Sequence, residues 1–263
     1  MKVRIYLWYF FRRTNLDTTW FKEFSEYAYR ILFKERKIVL PFDVFYYKNL
    51  LNPLIEDLTL PETDDCNVIL NHYQKPEFSI VHLLHLISKE SYFFYHNVLK
   101  LLHKIKKKRK VLEFGCASAP ITTKIFEFYK PSKKNTYYIS DIETLPFHYA
   151  SYLFRHCSNV KPIILKPEDD FKLSIQDKID VILCITVFEH LNKPLETVKI
   201  FHKILNKGGH LIFDFIIPVD AFDTIQAKNE RESVLDFILE NFIILHGNID
   251  RRKKVNLTVA RKK

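Results

Sequence analysis

From residue 110 onward, short apolar runs alternate with amphipathic stretches. The clearest run is 179–187 (Ile-Asp-Val-Ile-Leu-Cys-Ile-Thr-Val), apolar at positions facing both sides of a strand. A central parallel strand covered on both faces requires this pattern. The same reading predicts strands over 111–114, 136–141, 162–165 and 210–216. Helices are predicted over about 119–129, around Phe147, Ala150, Tyr152 and Leu153, from Pro194 to about 205, and over 230–241. Pro194 sits where a first helical turn tolerates it, and Asn206-Lys207-Gly208-Gly209 is expected to end that helix through glycine. The last two apolar runs, 243–246 and 255–259, are joined by a short charged turn. With no helix between them they must pair antiparallel, because parallel neighbours need a long crossover.

Residues 1–108 have another texture. They hold 21 of the chain's 39 Phe, Tyr and Trp residues. Trp20, Phe24, Tyr27 and Ile31 follow helical spacing, as do Phe94, Val98, Leu101 and Ile105. Pro41, Pro53, Pro61 and Pro76 divide the segment into short pieces. Strand–helix alternation after 109 implies right-handed crossovers and a doubly wound α/β sheet. The predicted architecture is a seven-stranded, mostly parallel sheet closed by an antiparallel hairpin (109–263), carrying an N-terminal helical extension (1–108).

The chain has only four glycines, against the roughly 7% usual in proteins, so each marks a point of backbone need. Gly115 lies in 110–120, Lys-Val-Leu-Glu-Phe-Gly-Cys-Ala-Ser-Ala-Pro, where a strand turns into a helix. An acid, a glycine two residues on, then small residues at every second position resemble motif I of the class I S-adenosylmethionine-dependent methyltransferases. The acid is Glu113, and Ala117 and Ala119 stand where that family has its second and third glycines. Holding an alanine at positive φ costs roughly 1 kcal/mol. The order of strands and helices over about 110–262 extends the resemblance.

The resemblance implies S-adenosyl-L-methionine as cofactor, bound beyond the carboxyl ends of the strands at the point where strand order reverses. Glu113, Gly115, Ala117, Asp141 and Thr186 are the implied cofactor-binding residues. Gly115 would let the backbone approach the methionine part, and Asp141 would accept hydrogen bonds from the ribose hydroxyls. Glu168, Asp169 and Asp170 compete for the adenine-facing acid. Val187-Phe188-Glu189-His190-Leu191 resembles the Glu-His segment of small-molecule methyltransferases and makes His190 the candidate general base. A nicotinamide-binding domain is disfavoured, because Gly115-Cys116-Ala117-Ser118-Ala119 lacks the G-x-G-x-x-G pattern.

Charge sharpens the choice of substrate. The net charge of +10 is concentrated in two runs, 104–110 with six Lys or Arg and 251–263 with seven. Without them the body is slightly acidic, and such runs are usually solvated faces. In the inferred topology 104–110 enters the amino end of the first strand and 251–254 lies at the opposite end, so no continuous groove between the runs is expected. The Asn/Asp-Pro-Pro-aromatic motif of enzymes that methylate exocyclic amines of nucleic-acid bases is absent. His82 and His85 lie one helical turn apart without a recognisable third ligand, so no metal is expected. Cys66, Cys116, Cys157 and Cys184 show no metal or disulfide spacing and read as free thiols of a reducing cytoplasm. No apolar run reaches the ~20 residues of a membrane span, and the opening segment lacks signal-peptide character.

The expectation is a cytoplasmic enzyme that methylates a small molecule, with 1–108 as substrate cap. Its rivals are an RNA methyltransferase that uses the basic runs and a non-catalytic methyltransferase-like partner protein.

Overall fold

The computed structural model describes residues 66–74, 89–105, 110–129, 131–166, 172–216 and 224–263. The aromatic stripe from Trp20 to Ile31, His82, His85 and the three acids Glu168, Asp169 and Asp170 lie outside them. Two helices precede the sheet, α1 (Cys66–Tyr73) and α2 (Lys89–Lys104). Then follow β1 (Lys110–Phe114), α3 (Pro120–Tyr129), β2 (Thr136–Ile142), α4 (Leu145–Leu153), β3 (Val160–Leu165) and β4 (Ile179–Cys184). A 3₁₀ turn at Phe188–His190 leads to α5 (Pro194–Ile204), β5 (Leu205–Phe215), α6 (Ile225–Asn241), β6 (Phe242–His246) and β7 (Val255–Lys262).

The sheet has seven strands in the order β3-β2-β1-β4-β5-β7-β6. The pairs from β3 to β5 are parallel, and β7 runs antiparallel to both neighbours. The doubly wound architecture and the closing hairpin are as the sequence pattern implies. Strand order reverses between β1 and β4, and in open α/β sheets the ligand crevice is expected at this switch point, beyond the carboxyl ends. β4 is buried at every position, but its pairing stops at Cys184, three residues short of the expected end. Residues 185–187 are released from the ladder, with Ile185 and Val187 buried and Thr186 exposed.

Strand alternation sends side chains into two cores. Leu112, Phe114, Ile182, Cys184, Phe213 and Phe215 pack with Val198 and Phe201 of α5 and Val234, Leu235 and Ile238 of α6. Val111, Ile139, Val181, Leu183 and Ile212 pack on the other face with Leu99 and Leu102 of α2, Ile121 and Ile125 of α3, and Phe147 of α4. Full burial of each large side chain contributes about 1.5–3 kcal/mol, so these layers fix the strand ends that carry the site.

One boundary differs from expectation. α5 ends at Ile204, and Leu205 pairs at once with Ile179, while the next pair joins Val181 to His210. Residues 206–209 therefore bulge out of β5 instead of capping the helix. Gly208, at φ +73, supplies the turn, and Asn206 Nδ2 donates to Asp180 Oδ1 at 2.8 Å to hold the bulge.

Candidate active site

The loop after β1 is wound tightly, with Gly115 at φ +63, Ala117 at +45 and Ala119 at +51. The two alanines thus adopt the left-handed conformation that glycine would take without penalty. Three interactions hold them there. Cys116 N–H donates to the Ser140 carbonyl at 3.1 Å, Ala119 N–H to the Cys116 carbonyl at 2.7 Å, and Ala117 N–H to Asp141 Oδ2. The room a Cβ at 115 would need is filled by Val187, whose Cγ2 lies 2.4 Å from that position. Gly115 is thus required by the packing of the segment after β4 against the loop after β1, not by open space for a ligand.

Glu113 lies beneath the loop, buried, and faces the start of α3. Its Oε1 accepts from Ile121 N–H at 3.1 Å. Its Oε2 accepts from Thr122 N–H at 2.8 Å and from the Thr122 hydroxyl at 2.6 Å. A carboxylate at a helix N-terminus satisfies orphan donors and complements the dipole. Burial still pushes its pKa up to about 7, against the lowering effect of these donors.

Asp141, partly exposed at the end of β2, borders the crevice. Besides the Ala117 N–H it accepts Ile142 N–H on Oδ1 at 2.7 Å. Burial raises its pKa to about 6, opposed by these two amides and by His190. An ionised carboxylate offers about four acceptor positions, so two remain for a vicinal diol.

Across the crevice Thr186 is exposed at φ +52, unusual for a β-branched residue. His190 stands beyond it on the 3₁₀ turn, with about a third of its side chain exposed and Nε2 4.0 Å from Oε1 of buried Glu189. The ring of Tyr73, at the end of α1, meets the His190 ring edge-on with centroids 6.1 Å apart. Gln74 Nε2 donates to the Glu143 carbonyl just past β2 at 3.0 Å. A piece of the N-terminal region therefore reaches the crevice.

Of the expected residues, the structure gathers Gly115, Ala117, Asp141, Thr186 and His190 at the crevice and puts Glu113 underneath it. Sequence reasoning missed Asp214 on β5, whose Oδ1 accepts Thr186 N–H at 2.5 Å. Its signal was an acid inside the apolar run 211–215 (Leu-Ile-Phe-Asp-Phe). Burial raises the pKa of Asp214 to about 7, opposed by the Thr186 amide and reinforced by Glu189. Glu113, Asp141, Glu189 and Asp214 gather four carboxyl groups about the ends of β1, β2, β4 and β5, with Lys124 acting on Glu113 and Lys254 of the hairpin turn acting on Asp214. Among the described residues no three His, Cys, Asp or Glu converge as a metal site would.

The two basic runs correct an expectation. Residues 251–254 lie at the hairpin turn as inferred, held by Arg231, whose guanidinium donates to the Arg251 and Lys253 carbonyls at 2.6 and 2.7 Å. β7, however, carries the rest of the run back to the amino end. There Arg261, Lys262 and Lys263 share a groove of about 740 Å³ with Lys104 and Lys207, floored by Ile105, Ile243 and Leu245. The antiparallel direction of β7 is the reason.

A sheet of this order, with a wound loop after β1 and an acid closing β2, defines the class I S-adenosylmethionine-dependent methyltransferases. The chain belongs to the methyltransferase-domain family, whose model matches residues 86–236. It is 30% identical over 118 residues to the tRNA U34 carboxymethyltransferase of Campylobacter fetus subsp. fetus (strain 82-40), a match covering 44% of this chain and 40% of that protein. The PH0226 protein of Pyrococcus horikoshii OT3 superposes with a TM-score of 0.51 at 19% identity, over 68% of this chain and 93% of that one. The N-methyltransferase NodS of Bradyrhizobium japonicum WM9, in complex with S-adenosyl-L-homocysteine, gives 0.49 at 15% identity, over 69% and 96%. Identity this low establishes the fold alone. The remaining acceptor positions of Asp141 fit the ribose diol of S-adenosylmethionine. No helix among the described residues is long and apolar enough to cross a membrane.

Proposed function

We propose that the chain methylates a hydroxyl or amine of a small molecule, with residues 1–108 as the substrate cap and His190 as general base. The observation that carries this reading is the arrangement at the mouth of the crevice. His190 is backed by Glu189 and faced by Tyr73 of α1, so the acceptor space is bounded by the chain's own N-terminal region. Enclosure by side chains suits a small acceptor that must be desolvated and aligned. Asp141 holds the ribose, and the backbone of 115–119 and Thr186 bound the rest of the cofactor. S-adenosylmethionine supplies a methyl group already activated on a sulfonium. The chain therefore has to align the acceptor and remove its proton. A hydroxyl acceptor held here would give its proton to a ring nitrogen of His190, while the cofactor would supply the methyl group and leave as the neutral thioether S-adenosylhomocysteine. Glu189, 4.0 Å away, stabilises the imidazolium that forms.

A second reading, methylation of RNA, draws on the tRNA modification named for the Campylobacter relative and on the basic groove. The groove lies at the amino end of the sheet, so a bound RNA would have to reach around to the crevice. Radiolabelled S-adenosylmethionine, offered with a metabolite extract and in parallel with total unmodified tRNA, distinguishes the two. Label in a low-mass product supports the first reading. Label only in tRNA, abolished by Arg261→Glu, overturns it. Calorimetry showing no cofactor binding would favour a non-catalytic partner protein.

A further inference from the structure

We propose that Asp214 is a positioning residue for the cofactor, acting through the backbone of Thr186. Thr186 is the second residue past β4 and sits at φ +52, a conformation that a β-branched residue adopts only when its surroundings over-determine it. Its own hydroxyl donates to the Ile185 carbonyl at 2.7 Å, a local contact that does not reach another element. Its N–H donates to Asp214 Oδ1 at 2.5 Å across 28 residues of sequence. Asp214 is 3% exposed and follows Phe213, the β5 residue opposite Cys184 at the end of β4. The neighbouring strand thus presents a fixed acceptor where the chain leaves the ladder.

The consequence is carried to the loop after β1. The next residue, Val187, fills the space beside Gly115, so the direction of the chain at 186 sets how that loop and the segment after β4 face each other. Downstream, Thr224 anchors the same segment, with its N–H to the Glu189 carbonyl at 3.0 Å and its hydroxyl to the Leu191 carbonyl at 2.7 Å. Asp214 supplies the corresponding anchor upstream. Strained backbone held by a buried carboxylate at the lip of a ligand crevice is the arrangement expected of preorganisation. The inference rests on the cofactor occupying this crevice and is independent of the acceptor.

The test is a coupling experiment read by calorimetric affinity for S-adenosylmethionine, with thermal melting on the same samples. Asp214→Ala should weaken binding by about tenfold or more, the loss expected for a hydrogen bond to a charged group. Asp214→Asn retains an acceptor for the Thr186 amide and should lose much less. Glycine reaches positive φ without support, so Thr186→Gly placed in the Asp214→Ala background should recover most of the lost affinity. If Asp214→Ala does not fold, Asp214→Glu, which keeps the charge but displaces the acceptor, takes its place in the same cycle. Recovery by Thr186→Gly supports the proposal. Equal affinity of the wild type and a folded Asp214→Ala overturns it, as does a loss that Thr186→Gly leaves untouched. A wild type that binds no cofactor overturns it together with the cofactor role of the crevice, so the two failures are told apart.

Discussion

The two ends of the sheet use their charged side chains differently, and the reason is topological. At the carboxyl end stand Glu113, Asp141, Glu189 and Asp214, together with the three non-glycine residues at positive φ among the described residues. At the amino end three lysines lie against helix C-termini. Lys262 Nζ donates to the His202 and Leu205 carbonyls at 2.5 and 3.0 Å, closing α5. Lys178 Nζ reaches the Lys203 carbonyl at 2.8 Å, and Lys263 Nζ bonds the Leu239 and Glu240 carbonyls near the end of α6. Helices between parallel strands run against them, so helix C-termini, with their partial negative charge, collect where strands begin. Part of the basic composition that suggested nucleic acid is therefore accounted for by helix capping.

That contrast is broken most decisively at His190. His190→Ala should lower turnover by about 10²–10⁴-fold while cofactor affinity and melting temperature stay close to wild type. A stable variant with near wild-type turnover would remove the base and leave positioning alone to explain catalysis. Next in size is Glu113→Ala, which strands the Ile121 and Thr122 amides at the buried start of α3. Losing charge-assisted bonds of roughly 1.5–3 kcal/mol should appear as a large drop in the urea midpoint. An unchanged midpoint would mean that water or a neighbour replaces the carboxylate.

Asp141→Ala is expected to weaken S-adenosylmethionine binding roughly ten- to a hundred-fold, on the order of 1.5–3 kcal/mol. The same residue gives a pH test with two opposite signs. Burial raises Glu113 and Asp214 to about 7 and Asp141 to about 6, above the carboxylate range of an unfolded chain, about 4. The native state therefore holds more protons than the unfolded state in that window. The stability of the cofactor-free protein should fall as pH rises from about 4 to about 7. Cofactor affinity should move the other way, falling as pH drops through about 6 and Asp141 is protonated. Melting curves and calorimetry at pH 5, 6, 7 and 8 check both. Parallel trends would mean that Asp141 does not face the cofactor.

The smallest effect belongs to the other end. Lys262→Met should remove a helix cap worth about 1 kcal/mol and leave cofactor affinity unchanged, read by urea melts and calorimetry. Weaker cofactor binding in this variant would show that the two ends are coupled.

Much of the carboxyl end was legible in the sequence because its signals are local. The turn at 115–119, the acid closing β2 and the Glu-His pair after β4 each lie within a few residues of a strand end. What escaped depends on which strands become neighbours. Asp214 carries no local signal beyond being an acid inside an apolar run, because its partner is an amide 28 residues away that only the pairing of β5 with β4 brings near. The bulge at 206–209 looked like a helix stop because Gly-Gly marks a turn without saying which element it interrupts. The groove at the amino end was missed because only part of the second basic run was followed through the reversal of β7.

Ala117 and Ala119 have an entropic meaning as well as an energetic one. Replacing either with glycine would relieve about 1 kcal/mol of left-handed strain, but a glycine also gives the unfolded chain freedom worth about 0.4–1 kcal/mol. The two effects nearly cancel, so selection for stability alone has little to distinguish them. What the alanines change is the number of shapes the empty loop can visit. A glycine-rich loop samples many and is narrowed by its ligand, whereas this one has fewer alternatives to leave behind. A ligand on this loop would meet a wall already set, and the entropy lost at each binding event would be correspondingly small.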